Sequence, residues 1–182
     1  MKKLLVAVTV IVLALVLVGF WLPADYRIER RRVLAAGPER VRAQVRDLES
    51  WPQWTAWSRA EDPECVWTFD DPDAFGVPRA MHWSGPKHGE GTIELTELAD
   101  PDRIEFALTG VDGDTVLRSV GAFAFEGDAR GGTEVVWSLS GVMAANPVHR
   151  WIGLFMDSLV GADLERGLEG LEEEVLGRPN PR

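Results

Sequence analysis

Residues 132–176 read GTEVVWSLSGVMAANPVHRWIGLFMDSLVGADLERGLEGLEEEVL, and the change of rhythm within them decides the fold. Val135, Trp137 and Leu139 alternate with Glu134, Val136 and Ser138, a period of two that marks a strand with one buried face. The alternation stops at Gly141. Asn146 suits a helix N-cap, because its side-chain oxygen accepts from the free N–H groups of the first turn, and Pro147 lacks the N–H that would be unpaired there. Leu154, Gly161, Leu164, Leu168, Leu171 and Val175 then form a stripe, widened near its start by Ile152, Phe155, Met156 and Leu159. No sustained breaker follows until Gly177 and Pro179, so the spacing predicts one helix of about 28 residues laid on a sheet. Gly161, Gly167 and Gly170 each cost roughly 1 kcal/mol relative to Ala. Close approach to the sheet, or a bend near Gly161, is therefore expected.

Upstream, the period of two recurs. Ile93 and Leu95 alternate with Thr92, Glu94 and Thr96; Ile104, Phe106 and Leu108 alternate with Glu105, Ala107 and Thr109; a further run occupies 117–125. Turn residues separate these runs at 89–91, 100–102, Asp112-Gly113-Asp114 and 127–132. Short strands joined by tight turns imply a meandering antiparallel sheet. An earlier strand is expected at 26–34, where Ile28 alternates with charged neighbours, and Gly37-Pro38 ends it. Pro38 opens a short amphipathic helix carrying Val41, Val45 and Leu48, which runs into the aromatic cluster Trp51-Pro-Gln-Trp54-Thr-Ala-Trp57.

At the N-terminus every residue in 4–22 is apolar except Thr9 and Gly19. At about 1.5 Å rise per residue such a run crosses a hydrocarbon core of roughly 30 Å. The competing reading is a cleaved signal peptide, whose apolar region is normally about 7–15 residues long. The longer run here, ending in Phe20, Trp21 and Leu22 where aromatics favour the lipid interface, points to a single-pass anchor over 1–23. Lys2 and Lys3 favour a cytoplasmic N-terminus and an extracytoplasmic domain, whereas Arg27, Arg30, Arg31 and Arg32 follow closely on the other side. Residues 24–178 suit one domain, with 179–182 a tail. With Lys2 and Lys3 set aside, the formal charge of −10 becomes −12, which argues against nucleic acid as a partner. The single cysteine, Cys65, excludes an internal disulfide.

Five segments carry a family resemblance: Trp51-Pro-Gln-Trp54 with Trp57, Trp83-Ser-Gly85, Gly89-Glu-Gly91, Gly132-Thr-Glu-Val-Val-Trp137 and Val160-Gly-Ala-Asp-Leu-Glu-Arg-Gly-Leu168. In this order and spacing the chain resembles the SRPBCC superfamily over 26–176, in particular its polyketide cyclase/dehydrase and lipid-transport branch, related to START domains. The resemblance implies an α+β helix-grip fold: a curved antiparallel sheet wrapped around a long C-terminal helix, here preceded by one transmembrane helix. It also implies a hydrophobic small molecule or lipid as partner, with no cofactor.

A curved sheet beneath a helix leaves space that short side chains do not fill, and apolar pockets of about 300–1,000 Å³ are the usual small-molecule sites. The expected lining is Trp83, Ile93, Leu95, Phe106, Leu108, Phe123, Trp137, Phe155, Met156 and Leu159, ten side chains that would equally serve a dry core. Trp51, Trp54 and Trp57 are read as the pocket mouth or an interfacial foot, and alternatively as a structural plug. Asp157 falls on the stripe, where it would anchor a polar ligand group or turn to the solvated helix edge. Neither a nucleophile elbow, a phosphate loop nor a dinucleotide fingerprint occurs. His82, His88 and His149 are the only histidines, without metal-ligand spacing. A binding module is thus favoured, and a cyclase-type enzyme using His82, Asp157 or Arg118 for proton handling is the alternative.

Overall fold

Seven strands form one antiparallel sheet in the order β1-β7-β6-β5-β4-β3-β2, in a computed structural model that describes residues 1–73, 76–112 and 115–177. After helix α1 (Lys2–Gly19), strand β1 (Asp25–Leu34) leads into α2 (Pro38–Arg46), a 3-10 turn (Leu48–Ser50) and the single-turn α3 (Trp51–Trp54). The strands β2 (Val66–Phe69), β3 (Ala80–Gly85), β4 (Gly89–Glu97), β5 (Arg103–Asp112), β6 (Thr115–Gly127) and β7 (Thr133–Val142) follow as a meander. The chain then returns through α4 (Pro147–Gly153) and α5 (Met156–Leu176). This is an α+β helix-grip architecture.

Each expected period-two run is a strand, and in β4, β5 and β7 the alternating apolar residues Ile93, Leu95, Ile104, Phe106, Val135, Trp137 and Leu139 are buried, while Val33 of β1 and Val120 of β6 face outward. Two strands, β2 and β3, have no counterpart in the periodic reading. Val66 and Thr68 on β2 are exposed and Trp67 only half-buried, so this edge strand lacks the contrast that alternation needs. The turn Asp112-Gly113-Asp114 and the tail 179–182 fall partly or wholly outside the described residues.

The C-terminal helix departs from the expected single rod. Asn146 caps α4 as anticipated, its Oδ1 accepting from Val148 N–H at 2.8 Å. The rod then breaks at Leu154 and Phe155, and α5 restarts at Met156. The break follows Gly153, a weak helix former whose missing Cβ leaves room for Met143. No break occurs at Gly161, which lies inside α5; there the missing Cβ admits the Arg30 guanidinium. Gly167 likewise admits the Trp137 ring, and Gly170 the backbone of Trp54. Close approach, rather than a bend, is what these three glycines supply. The buried stripe is Leu164, Leu168, Leu171 and Val175, while Leu154 is exposed.

Two arginines of β1 fasten α5 to the sheet edge. Arg30 pairs with Asp157 at 2.8 Å and Glu165 at 2.6 Å, and Arg32 with Glu172 at 2.7 Å. Beneath α3 and α5 lies an aromatic core. Trp51 meets Phe106 and Phe123 edge-on at 5.4 and 5.7 Å, and Phe123 stacks on Trp137 at 4.7 Å. Of the indole N–H groups buried here, that of Trp51 donates to Val45 O and that of Trp54 to Ser50 Oγ, whereas Trp137 Nε1 meets no acceptor among the described residues.

Candidate functional site

The register of the sheet divides its inner face into rows, and the rows decide where space remains. Nearest the N-terminal helix, one row runs Trp67, Trp83, Gly91, Gly110, Leu117 across β2 to β6. The next runs Met81, Ile93, Leu108, Ser119, Gly141, Tyr26 from β3 to β1. A third holds Leu95, Phe106, Gly121, Leu139 and Ile28, and a fourth Ile104, Phe123, Trp137 and Arg30. The third and fourth rows lie under Trp51, Trp54 and the leucines of α5 and are densely filled. Over the first two a cavity of about 370 Å³ remains.

Glycines create part of that space. A Cβ on Gly110, which lines the cavity, would meet nothing within 4 Å. Gly91 is covered by the Trp83 ring, which lies across the strand where a side chain would have stood. Gly141 lets the Tyr26 ring reach over β7, so that its hydroxyl meets Ser119 Oγ at 2.7 Å. The opposite wall is built by Trp51, Thr55 and Trp57, by Met143 and Ala144 after β7, and by His149, Ile152, Met156 and Val160 of the two C-terminal helices.

Asp62 organises one end of the site. It is buried, and its Oδ2 accepts from the backbone N–H groups of Lys87 at 2.9 Å and His88 at 3.0 Å. This joins the loop after α3 to the β3–β4 turn and sets His88 on the cavity wall, its Nε2 3.1 Å from Ser58 O. Burial alone would raise the Asp62 carboxyl, but the two N–H groups and nearby positive charge outweigh it and hold it below the ordinary carboxylate value. Burial, with Asp62 close by, pushes the Cys65 thiol up.

Of the ten expected lining residues, Trp83, Ile93, Leu108 and Met156 border the cavity. Leu95 and Phe123 do not; they stand in the filled rows and are wholly buried. Phe106 and Trp137 touch only a void of about 10 Å³ beneath the cavity floor. Phe155 and Leu159 point outward, because the break after α4 turns them from the sheet. Trp51 and Trp54 are buried plugs rather than mouth residues, although Trp51 also forms inner wall, and Trp57 is half-buried on the cavity.

The three residues considered for proton handling lie elsewhere. His82 and Arg118 alternate with inward Met81, Trp83, Leu117 and Ser119, which places both on the outer face. There His82 Nδ1 is 2.9 Å from Thr92 Oγ1 and its Nε2 3.1 Å from Asp70. Asp157 turns to the helix edge, where the Arg30 guanidinium holds its carboxyl below the usual range. The polar groups that do face the cavity, Tyr26, Ser119, Thr55, His88 and His149, escaped sequence reasoning, as did apolar Trp67, Met81, Leu117, Leu139 and Val160. The inward parity of Leu117, Ser119 and Leu139 was available as a signal; the place of Leu117 and Ser119 in the open rows, and of Leu139 at their border, was not. Among the described residues, no three His, Cys, Asp or Glu side chains are grouped to hold a metal ion.

A meander closed by a C-terminal helix over an apolar cavity defines a START-like, helix-grip protein. Solved structures of the same fold include a START superfamily protein from Mycobacterium smegmatis, with TM-score 0.59 and 19% identity, covering 84% of this chain and 98% of that one. A hypothetical protein from Helicobacter pylori gives TM-score 0.61 at 11% identity, covering 84% and 89%. A putative uncharacterized protein from Rhizobium leguminosarum gives 0.57 at 20%, covering 85% and 96%. No curated protein matches significantly. The family profile described as polyketide cyclase / dehydrase and lipid transport matches residues 25–176. The chain belongs to that family, within the SRPBCC superfamily.

Proposed function

We propose that this is a membrane-anchored binding protein that holds a hydrophobic small molecule or lipid between its sheet and its C-terminal helices. The observation that carries the reading is the cavity of about 370 Å³, whose walls are mostly aliphatic and aromatic with a few polar groups among them. That size and chemistry suit an apolar ligand with one polar end. Trp83, Ile93, Leu108 and Met156 contact its apolar part, and Met81, Met143 and Met156 repack around different shapes. Tyr26, Ser119 and His149 are the polar contacts. Residues 1–23 anchor the protein: α1 is long and apolar enough to cross a membrane, and Lys2 and Lys3 favour an extracytoplasmic domain. Residues 24–178 are the ligand-binding unit. Native mass spectrometry of the purified full chain tests this reading: a co-purifying hydrophobic molecule, released on denaturation, is expected. An empty protein that also takes up no fatty acid, sterol or phospholipid when these are supplied contradicts it.

A cyclase- or dehydrase-like enzyme is the second reading, and one observation favours it: the Tyr26–Ser119 hydroxyl pair and two histidines line the same cavity. Under this reading those four groups, not His82, Asp157 or Arg118, exchange protons with substrate. His149→Ala would then abolish turnover while leaving ligand uptake intact.

A further inference from the structure

Two sets of features around α4 bear on how the cavity communicates with its surroundings. Of the residues lining it, Leu117, Ala144 and Ile152 are also exposed, which places the mouth between the β5–β6 end of the sheet and α4. The same α4 is fastened to the N-terminal helix. Trp151 Nε1 donates to Leu15 O at 3.1 Å, Arg150 donates to Leu22 O at 2.6 Å, and Pro147 closes on Gly19, where no Cβ intervenes. Leu15 lies four residues before the end of α1, roughly 6 Å down its axis at about 1.5 Å per residue. Trp151 thus reaches below the end of the apolar span.

The outward face of this segment is apolar. Val148, Ile152, Phe155 and Leu159 recur at helical spacing across the short break and are between 42% and 59% exposed. Trp21, 90% exposed, and Phe20 continue the patch from the end of α1. Because α1 is continuous with the patch, its occupant is the medium that surrounds α1. We infer that the α4 and early α5 stripe is immersed in the outer part of a lipid bilayer, with the cavity mouth resting on the membrane, so that a ligand passes between bilayer and cavity without crossing bulk water. Immersion of an amphipathic helix to about 5–10 Å, at the boundary between headgroups and acyl chains, is the depth such stripes adopt. The inference rests on reading α1 as a membrane anchor. With a formal charge of −12 once Lys2 and Lys3 are set aside, the domain requires no anionic headgroup, and phosphatidylcholine is the appropriate surface.

Full-length protein with Cys65→Ala carries a single new cysteine, labelled with nitrobenzoxadiazole and reconstituted in phosphatidylcholine vesicles containing spin-labelled lipids. The four sites are Val12→Cys in α1, Phe155→Cys, Leu159→Cys, and Val33→Cys at the far end of β1. Circular dichroism checks that each variant is folded; Phe155, Leu159 and Val33 are all exposed, so labels there displace no core. The Val12 label is expected to be quenched most by mid-chain spin labels. Those at Phe155 and Leu159 should be quenched several times more than that at Val33, and most by labels near the headgroups. Quenching at Val12 with Phe155 and Leu159 no different from Val33 overturns the inference and leaves the anchor standing. Absence of quenching at Val12 removes the anchor and the inference together. Blue-shifted emission at Phe155 without lipid quenching means that a protein covers the face, which also overturns it.

Discussion

Gly110→Phe separates a real binding cavity from an incidental gap. Gly110 lies on β5 beside Leu108, borders the cavity, and has extended backbone, since the positive-φ glycines are Gly76, Gly89, Gly131 and Gly177. A Cβ there meets nothing within 4 Å, so a phenyl ring enters open space without forcing its neighbours. Burying such a ring is worth roughly 1.5–3 kcal/mol. At about 2–4 °C per kcal/mol for a chain of this size, the melting temperature should rise by roughly 3–12 °C. The same ring displaces ligand. If it excludes about four methylene groups at roughly 0.8 kcal/mol each, binding weakens by about 3 kcal/mol, on the order of 100-fold in Kd. The assay is energy transfer from the cavity tryptophans to 11-(dansylamino)undecanoic acid, with full-length protein in phosphatidylcholine nanodiscs and empty discs as blank. A variant that melts higher yet binds as the wild type does would refute the placement of ligand over Gly110. One that melts lower would refute the open space itself.

Three other outcomes follow from the same geometry. Trp54→Ala should destabilise the protein by about 3–5 kcal/mol, since it empties a buried site between α3 and Phe123, as denaturant titration would reveal. Gly121→Ala should cost about 1–3 kcal/mol, because the new Cβ collides with the Phe106 ring, itself held by Trp51 and Phe123; an unchanged urea midpoint would mean that the ring shifts freely. Asp62 has a folded-state pKa below its unfolded value, so its stabilisation is present in full above about pH 4 and is lost as pH falls through the lower folded value. Melting curves should therefore show Asp62→Asn less stable than wild type at neutral pH, with the difference shrinking below pH 4; a constant gap would contradict the linkage.

The outcome for the ten expected lining residues shows where reasoning from sequence stops. Alternation in β4 to β7 assigned Ile93, Leu95, Phe106, Leu108, Phe123 and Trp137 to the inner face, and each lies there. Alternation does not distinguish positions along a strand: Leu95 and Ile93 look alike, yet Trp51 and Trp54 descend over the row of one and leave the row of the other open. Helical spacing was similarly blind to the break at Leu154 and Phe155, which turns Phe155 and Leu159 outward while Met156 and Val160 remain on the cavity.

Strand and helix periods, the proline and asparagine at helix starts, and the apolar run at the N-terminus are local quantities, and they determined β1, β4 to β7, the helix starts at Pro38 and Pro147, and α1 without reference to any distant residue; β2, β3 and the break between α4 and α5 left no such local mark. Cavity position is not local. It depends on strand register, which brings Tyr26, Gly141 and Ser119 to one level from three parts of the chain, and on which rows the Trp51–Trp54 turn and α5 cover. Steric exclusion between side chains far apart in sequence settles both, and only the folded arrangement of the whole chain expresses it.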